Sequence, residues 1–262
     1  MKYWKKYSKE KLIARIDEAL GANVNFQTSK YLGYPVSRLD ENVFNTTGSF
    51  LDVSPLLKSF IANPNNIGCH TLGKSEEAFK GSQAIEREVL EVLAIDIFKA
   101  KENEYDGYIA TGGTEANIQA LWIYRNLYKK QFNASLDEMV ILASEDTHYS
   151  VHKGSNLLSV DTISVPVDFN SREIITEELD TIVENLISQG KKYFMVISNM
   201  ATTMFGSVDN PDTYAEILTK HKVVFKIHVD GAFGGFIYPI SNRQSAINFE
   251  NPHVSSITID AH

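Results

Sequence analysis

The sequence predicts an α/β protein built on a mostly parallel sheet with helices on both faces. Two observations predict it. From about residue 108 onward, short apolar segments alternate with longer stretches of helical period. Those short segments are apolar throughout, with no polar alternation, so both of their faces need cover. With 262 residues, 43% of them hydrophobic, the chain can bury a substantial core. In open sheets of this class, ligands bind at the carboxyl ends of the strands.

The elements follow in order. Leu12, Ile13, Ile16, Ala19 and Leu20 recur at helical spacing over residues 9–20, and Gly21 is expected to stop that helix. Residues 22–82 hold turn formers such as Gly33-Tyr34-Pro35 and Asn63-Pro64-Asn65-Asn66. That stretch is too long for an idle connection, so it is expected to wrap a body or line a site. Residues 83–99 read as an amphipathic helix with Ile85, Val89, Val92, Leu93 and Phe98 on its apolar side. Strands are then expected at Tyr108–Ala110, Met139–Ala143, Thr162–Val165, Tyr193–Ser198, Val223–Val229 and Ser256–Ile259. Helices are expected between them at Thr114–Lys129, His148–Leu158, Ile174–Ser188 and Asp212–Lys220. The organisation is thus an N-terminal segment, residues 1–82, followed by a larger domain, residues 83–262.

Charge and composition narrow the function. A net charge of -8 argues against a nucleic-acid partner, which needs a basic face. Lys2, Lys5, Lys6, Lys9 and Lys11, interleaved with Tyr3, Trp4 and Tyr7, could touch a membrane or polyanion, but a solvated first helix explains them better. Cys69 is the single cysteine, which excludes an intrachain disulfide and suits a reducing compartment. No secretory signal follows the lysines, and no window approaches the ~20 apolar residues of a membrane span. The sequence reads as a soluble cytoplasmic protein.

The chemistry sits at strand ends. Thr111-Gly112-Gly113-Thr114-Glu115-Ala116-Asn117 follows a predicted strand and opens a helix. Its glycines let backbone approach an anion, Thr114 is expected to cap the helix, and the helix start attracts phosphate. A plain strand-to-helix turn has the same composition. Asp230, in His228-Val229-Asp230-Gly231-Ala232-Phe233-Gly234-Gly235, ends a buried strand, where a carboxylate needs a partner. A protonated ring nitrogen is one; a core carboxylate bonded to backbone is the alternative. A cofactor with a phosphate at one end and a basic ring nitrogen at the other needs both features, and pyridoxal 5'-phosphate is such a cofactor.

Other residues fit around it. His148, just past the strand Met139–Ala143, is placed to stack on a flat ring. Thr202 and Thr203, in Ala201-Thr202-Thr203-Met204-Phe205-Gly206, offer hydroxyls for a ring oxygen or phosphate. A metal reading also exists. His148 and His152 lie four apart, and His228-x-Asp230 with His253 or His262 resembles an iron site. But His228 lies inside an apolar strand that Asp230 ends, and that iron triad's usual host is an antiparallel barrel. No metal is expected.

Five motifs occur in register: the Gly-Gly-Thr cup, Asp146-Thr147-His148-Tyr149-Ser150-Val151-His152-Lys153, Ala201-Thr202-Thr203 with Gly206, the Asp230 segment, and Ser256-Ile257-Thr258-Ile259-Asp260-Ala261-His262. In that order they resemble the group II pyridoxal-phosphate-dependent amino-acid decarboxylases, from about residue 83 to the end. The resemblance implies the aspartate-aminotransferase-like fold, with a small C-terminal domain absent from this chain. It implies that Gly113 and Thr114 hold the phosphate, that His148 stacks on the ring, and that Thr203 with Thr202 lies near the ring oxygen. It further implies that Asp230 pairs with the ring nitrogen. His262 would contact phosphate or substrate carboxylate, directly before the lysine that anchors the cofactor. His152 departs from the residue usual there and receives no role.

The reaction so implied is decarboxylation of an L-amino acid of histidine, tyrosine or acidic type, with Asn65, Asn66 and His70 among plausible pocket liners. The Asp146–Val151 segment looks closest to bacterial histidine decarboxylases, and the Asp230 segment to archaeal-type tyrosine/aspartate decarboxylases. Other lyases on the same fold, of aldolase or desulfurase type, and a non-catalytic interaction protein remain as alternatives. A homodimer is expected, with Met1–Leu20 packed across the partner, because residues 22–82 lack a core pattern of their own. The chain is expected to be cut short at His262, with a lysine next.

Overall fold

A computed structural model describes residues 2–24, 73 and 77–261. Contacts divide the chain into two compact units, Met1–Asp96 with Ala100–Ile109, and Ile97–Lys99 with Ala110–His262. Asn65, Asn66, His70 and His262 lie outside the described residues.

The regular elements described in the first unit are helices. α1 spans Lys9–Ala22 and is opened by Ser8, whose hydroxyl accepts from Lys11 N–H. Gly21 does not stop it; the helix runs one residue further, to Ala22, with Asn23 as its C-cap. The Asn23 carboxamide has a second task, accepting from the amides of Gly81 and Ser82 at the start of α2, Lys80–Glu91. The two helices cross so closely that a Cβ on Gly81 would sit 1.8 Å from Ala19 O. Arg15 on α1 forms an ion pair with Glu88 on α2. α2 then widens into a π-helical turn, Val92–Ile97. The widening rotates the apolar stripe: Ile97 and Phe98 are buried, while Ile85 and Val89 stay exposed. Tyr108–Ala110 forms no strand. The Ile109 N–H donates to Glu86 Oε1 instead of a strand neighbour.

The second unit holds the sheet. In chain order it comprises α3 (Gly113–Phe132), β1 (Met139–Ser144), α4 (Ser150–Leu158), β2 (Thr162–Val165), α5 (Thr176–Ser188), β3 (Tyr193–Asn199), α6 (Pro211–Lys220), β4 (Val224–Gly231), the short α7 (Tyr238–Ser241) and β5 (Val254–Ile259). The strands pair in the order β2-β1-β3-β4-β5, all parallel. Both central strands are almost wholly buried, and period-two alternation sends their side chains to opposite layers. Val140 and Leu142 of β1 join Leu179 and Val183 of α5 and Tyr214 and Leu218 of α6 in one layer. Met139, Ile141 and Ala143 join Leu121, Tyr124 and Tyr128 of α3 and Val151 of α4 in the other. The edge strands β2 and β5 depart from the expected burial, because each has one neighbour, and Ser164 of β2 is exposed. No helix of the described residues is long and apolar enough to cross a membrane.

This topology places a site. The chain passes from β1 outward to β2, then returns to pair β3 on the other side of β1. Connections therefore diverge between β1 and β3, and the crevice beyond their carboxyl ends is where such sheets bind ligands.

Candidate active site

The cup forms from the first turn of α3. Gly112 is the N-cap, and Ala116 N–H closes the turn on Gly112 O at 3.1 Å. Thr114 is therefore the second helical residue and not the cap, because the extended Gly112 already fills that position. Gly113 N–H donates to Asp260 Oδ2 at 3.3 Å. An anionic oxygen thus already rests on an amide of this helix start, as the dipole favours. A Cβ on Gly113 would approach Ala232 Cβ to 3.0 Å, so the cup, the turn after β4 and the end of β5 meet tightly.

Asp230 lies in β4, level with Asn199 of β3 and Thr258 of β5. It is 6% exposed. Its Oδ2 accepts from Asn117 Nδ2 at 2.7 Å and its Oδ1 from Ala232 N–H at 3.1 Å. Burial raises its pKa, opposed by those hydrogen bonds and by the nearby His148 imidazole. Both donors are neutral. A buried carboxylate held only by neutral donors fits a cation delivered by a ligand, which a protonated pyridine ring provides. The glycines after Asp230 are tightly enclosed: Cβ atoms would fall 2.3 Å from the backbone oxygen of Met200 at Gly234, and 2.3 Å from the Ile259 side chain and 2.6 Å from Gly231 O at Gly235.

His148 sits in the turn between β1 and α4, half-buried, with Tyr149 beside it at 4.1 Å between ring centroids. Its Nδ1 meets Ser150 Oγ at 2.9 Å. Thr202 is buried, and its hydroxyl pairs with Ser207 Oγ at 2.8 Å, within its own loop. Thr203 is exposed. Hydrogen bonds thus link His148 to Asp230 through Ser150 and Asn117, and Gly113 lies against Ala232, while Thr114, Thr202 and Thr203 lie in the same unit with no side-chain hydrogen bond to them among the described residues. His152 is exposed.

A second polar layer lies beneath, and the sequence reading missed it. Thr147 Oγ1 donates to Asn199 Oδ1 at 3.1 Å, and Asn199 Nδ2 donates to Asp209 Oδ2 at 2.7 Å and to Ser144 Oγ at 3.0 Å. Burial pushes the Asp209 carboxyl up to about 6. Arg172 pairs with Asp146, and its guanidinium lies 4.4 Å from the Phe205 ring centroid. His228, weighed above as a metal ligand, is 1% exposed with both ring nitrogens hydrogen-bonded, to Ser256 and to Asn117 and Thr258. Burial lowers its pKa to about 3, so it is neutral. Among the described residues no three His, Cys, Asp or Glu side chains are grouped to hold a metal. Asn117 and Ser150 lie inside the motifs read from the sequence but had no role there, and Asp209 carried no signal, since their bonds arise from strand pairing and helix docking.

Comparison with known proteins agrees with this geometry. The family profile described as the pyridoxal-dependent decarboxylase conserved domain matches residues 27–262. The tryptophan decarboxylase of Clostridium sporogenes is 53% identical over 262 residues, which is 100% of this chain and 63% of that protein. A probable L-tyrosine/L-aspartate decarboxylase of Methanosphaerula palustris is 33% identical over 184 residues, 70% of this chain and 46% of that protein. Among solved structures, the L-methionine decarboxylase of Streptomyces sp. 590 superposes with a TM-score of 0.62 at 20% identity, over 95% of this chain and 63% of that one. That likeness shows the aspartate-aminotransferase-like fold. This chain spans less than two thirds of the length of each of these relatives.

Proposed function

This chain belongs to the pyridoxal-dependent decarboxylase family, and from that premise we propose that the protein decarboxylates an aromatic L-amino acid to its amine and carbon dioxide. Asp230 carries the reaction class, as a buried carboxylate held by neutral donors alone near the carboxyl end of a strand in a parallel sheet. Identity to a tryptophan decarboxylase supports tryptophan as the foremost substrate. That support moves the reading away from histidine and acidic side chains and keeps tyrosine within the aromatic class.

The residues present fit pyridoxal 5'-phosphate. Gly113 and Thr114 would hold its phosphate at the start of α3, and His148 would cover the ring. Thr202 and Thr203 would border the ring oxygen, and Asp230 would take the ring nitrogen. His262, outside the described residues, is assigned to the phosphate or substrate carboxylate by the family resemblance alone. Bound there, the cofactor supplies an electron sink for the carbanion left when carbon dioxide departs. Asp230 keeps the ring nitrogen protonated, which needs a carboxylate fixed before the reaction begins. The strand ends fix it: Ala232 N–H and Asn117 Nδ2 each hold one oxygen. His148 would limit water at one ring face.

We propose further that the protein is a homodimer with its site near the interface. Trp122 and Ile123, each 47% exposed on α3, support a surface that another chain covers. Light scattering at micromolar concentration should return twice the chain mass.

The test of substrate is release of carbon dioxide, with cofactor added, from tryptophan, tyrosine, phenylalanine, histidine, glutamate and aspartate. The expected result is a kcat/KM for tryptophan at least about tenfold above histidine and the acids, the size of one well-matched pocket contact. Preference for an acidic substrate would reject the aromatic reading. No release from any of them would reject the reaction.

A further inference from the structure

Asp230 and His148 are joined by one hydrogen-bonded path, and chemistry fixes its direction. Tyr124 O–H meets Ser256 Oγ. Ser256 Oγ lies 2.7 Å from His228 Nδ1, and His228 Nε2 lies 3.0 Å from Asn117 Oδ1. Asn117 Nδ2 reaches Asp230 Oδ2 at 2.7 Å and Ser150 Oγ at 3.1 Å. Ser150 Oγ lies 2.9 Å from His148 Nδ1, and Ser150 N–H donates to that same nitrogen at 3.3 Å.

A carboxylate only accepts, so the edge of Asn117 facing Asp230 is its NH2 and the edge facing His228 is its oxygen. That oxygen only accepts, so His228 carries its proton on Nε2 and takes the Ser256 hydroxyl at Nδ1. On the other branch, the second N–H of Asn117 fills Ser150 Oγ as an acceptor. The Ser150 O–H is then free to donate to His148 Nδ1. With a hydroxyl and an amide both donating to it, His148 Nδ1 is bare, and the imidazole proton sits on Nε2. Asn117, Ser150 and His228 are each at most 1% exposed, so water cannot replace a link. Reversal of the last link needs either Asp230 protonated with Asn117 flipped, or Ser150 Oγ accepting from Asn117 and His148 together. His148 Nδ1 would then carry a hydrogen pointing at the Ser150 N–H, which opposes the reversal.

We infer that Asn117 is a positioning residue of this site, whose one carboxamide both aims the Asp230 carboxylate and sets His148 as the Nε2–H tautomer. A donor is thereby presented at the outer ring nitrogen of His148, and the charged state of Asp230 and the tautomer of His148 are fixed together. The importance of the two partners rests on the proposed function; the tautomer does not.

The test is long-range 1H–15N NMR of the protein labelled with 15N-histidine, above about pH 8, where an ordinary imidazole is neutral. The His148 resonances are assigned by their loss in His148→Gln. Wild type should show a single His148 tautomer, bare at Nδ1 and protonated at Nε2. Ser150→Ala removes the hydroxyl but keeps the amide that donates to Nδ1, so it should weaken that selection and move the nitrogen shifts toward averaged values, with cofactor affinity within about twofold. Asn117→Ala should lose the selection and also weaken cofactor binding about tenfold, as for one hydrogen bond to a charged group. If Asn117→Ala fails to fold, the wild-type and Ser150→Ala spectra still decide. A wild-type His148 protonated at Nδ1, or a Ser150→Ala spectrum identical to wild type, would overturn the inference. A protein that keeps the expected tautomer yet releases no carbon dioxide would count against the proposed function alone.

Discussion

Asp230 and the loop Ala201–Gly206 lie at neighbouring strand ends in opposite circumstances. Asp230 is 6% exposed with both oxygens held, while Met204 and Phe205 are 82% and 59% exposed. The loop turns on left-handed backbone at Ala201, φ 64°, and Gly206, φ 66°. It is tied down by Thr202 against Ser207 and by Phe205 beneath Arg172. The difference teaches a division of labour. An electrostatic contact is useful only when its dipoles are fixed in advance, so Asp230 is built into the frame. A loop bordering the ring can be held at a few points and still serve.

The comparison can be broken most forcefully at Asp230. Asp230→Ala should lower the decarboxylation rate about a hundredfold or more, the loss expected for one preorganised charge partner. Its circular dichroism should remain that of wild type. Near-normal turnover would remove the frame's claimed advantage.

Glycine substitutions sharpen the contrast through stability. A Cβ on Gly234 would stand 2.3 Å from Met200 O, whereas one on Gly206 meets nothing within 4 Å. Gly234→Ala should cost about 1–3 kcal/mol by overpacking against backbone. Gly206→Ala meets only its left-handed φ of 66° and should cost about 1 kcal/mol. Thermal melts should therefore rank Gly234→Ala as the less stable variant.

The polar layer below gives a pH-dependent version. Burial raises the Asp209 carboxyl to about 6, above its ordinary 3.8. Its carboxylate is harder to form in the folded state than in the unfolded one. By itself this group makes stability fall as pH rises between those two values, by up to about 3 kcal/mol. Asp209→Asn keeps an oxygen to accept from Asn199 and removes the titration. Its stability should fall less than that of wild type across that window, as read by melts at several pH values. Equal slopes would show that Asp209 does not titrate there.

The smallest effect is expected at the loop's tip. Met204→Ala, at 82% exposure, should change stability by less than about 0.5 kcal/mol and turnover by less than about twofold.

The sheet was legible in the sequence because parallel strands buried on both faces are apolar throughout. Met139–Ser144 and Tyr193–Asn199 formed within a residue of their expected ends. Tyr108–Ala110 misled because three apolar-leaning residues cannot reveal that Glu86 takes the Ile109 amide. Gly21 misled because an open helix position tolerates glycine and the stop came from Asn23, bonded to the next helix. The cup, His148 and Asp230 were legible as motifs at strand ends. What joins them was not. Asn117 lies 113 positions from Asp230 and His228 lies 28 from Ser256, so their bonds exist only once the strands are in register.

The central claim is that Asp230 is a carboxylate poised for a protonated ring nitrogen. The most direct measurement is the 15N NMR shift of ring-labelled pyridoxal 5'-phosphate bound to the protein, in wild type and in Asp230→Ala. A protonated nitrogen in wild type that becomes unprotonated in Asp230→Ala is the predicted result. The same protonation state in both would contradict the account.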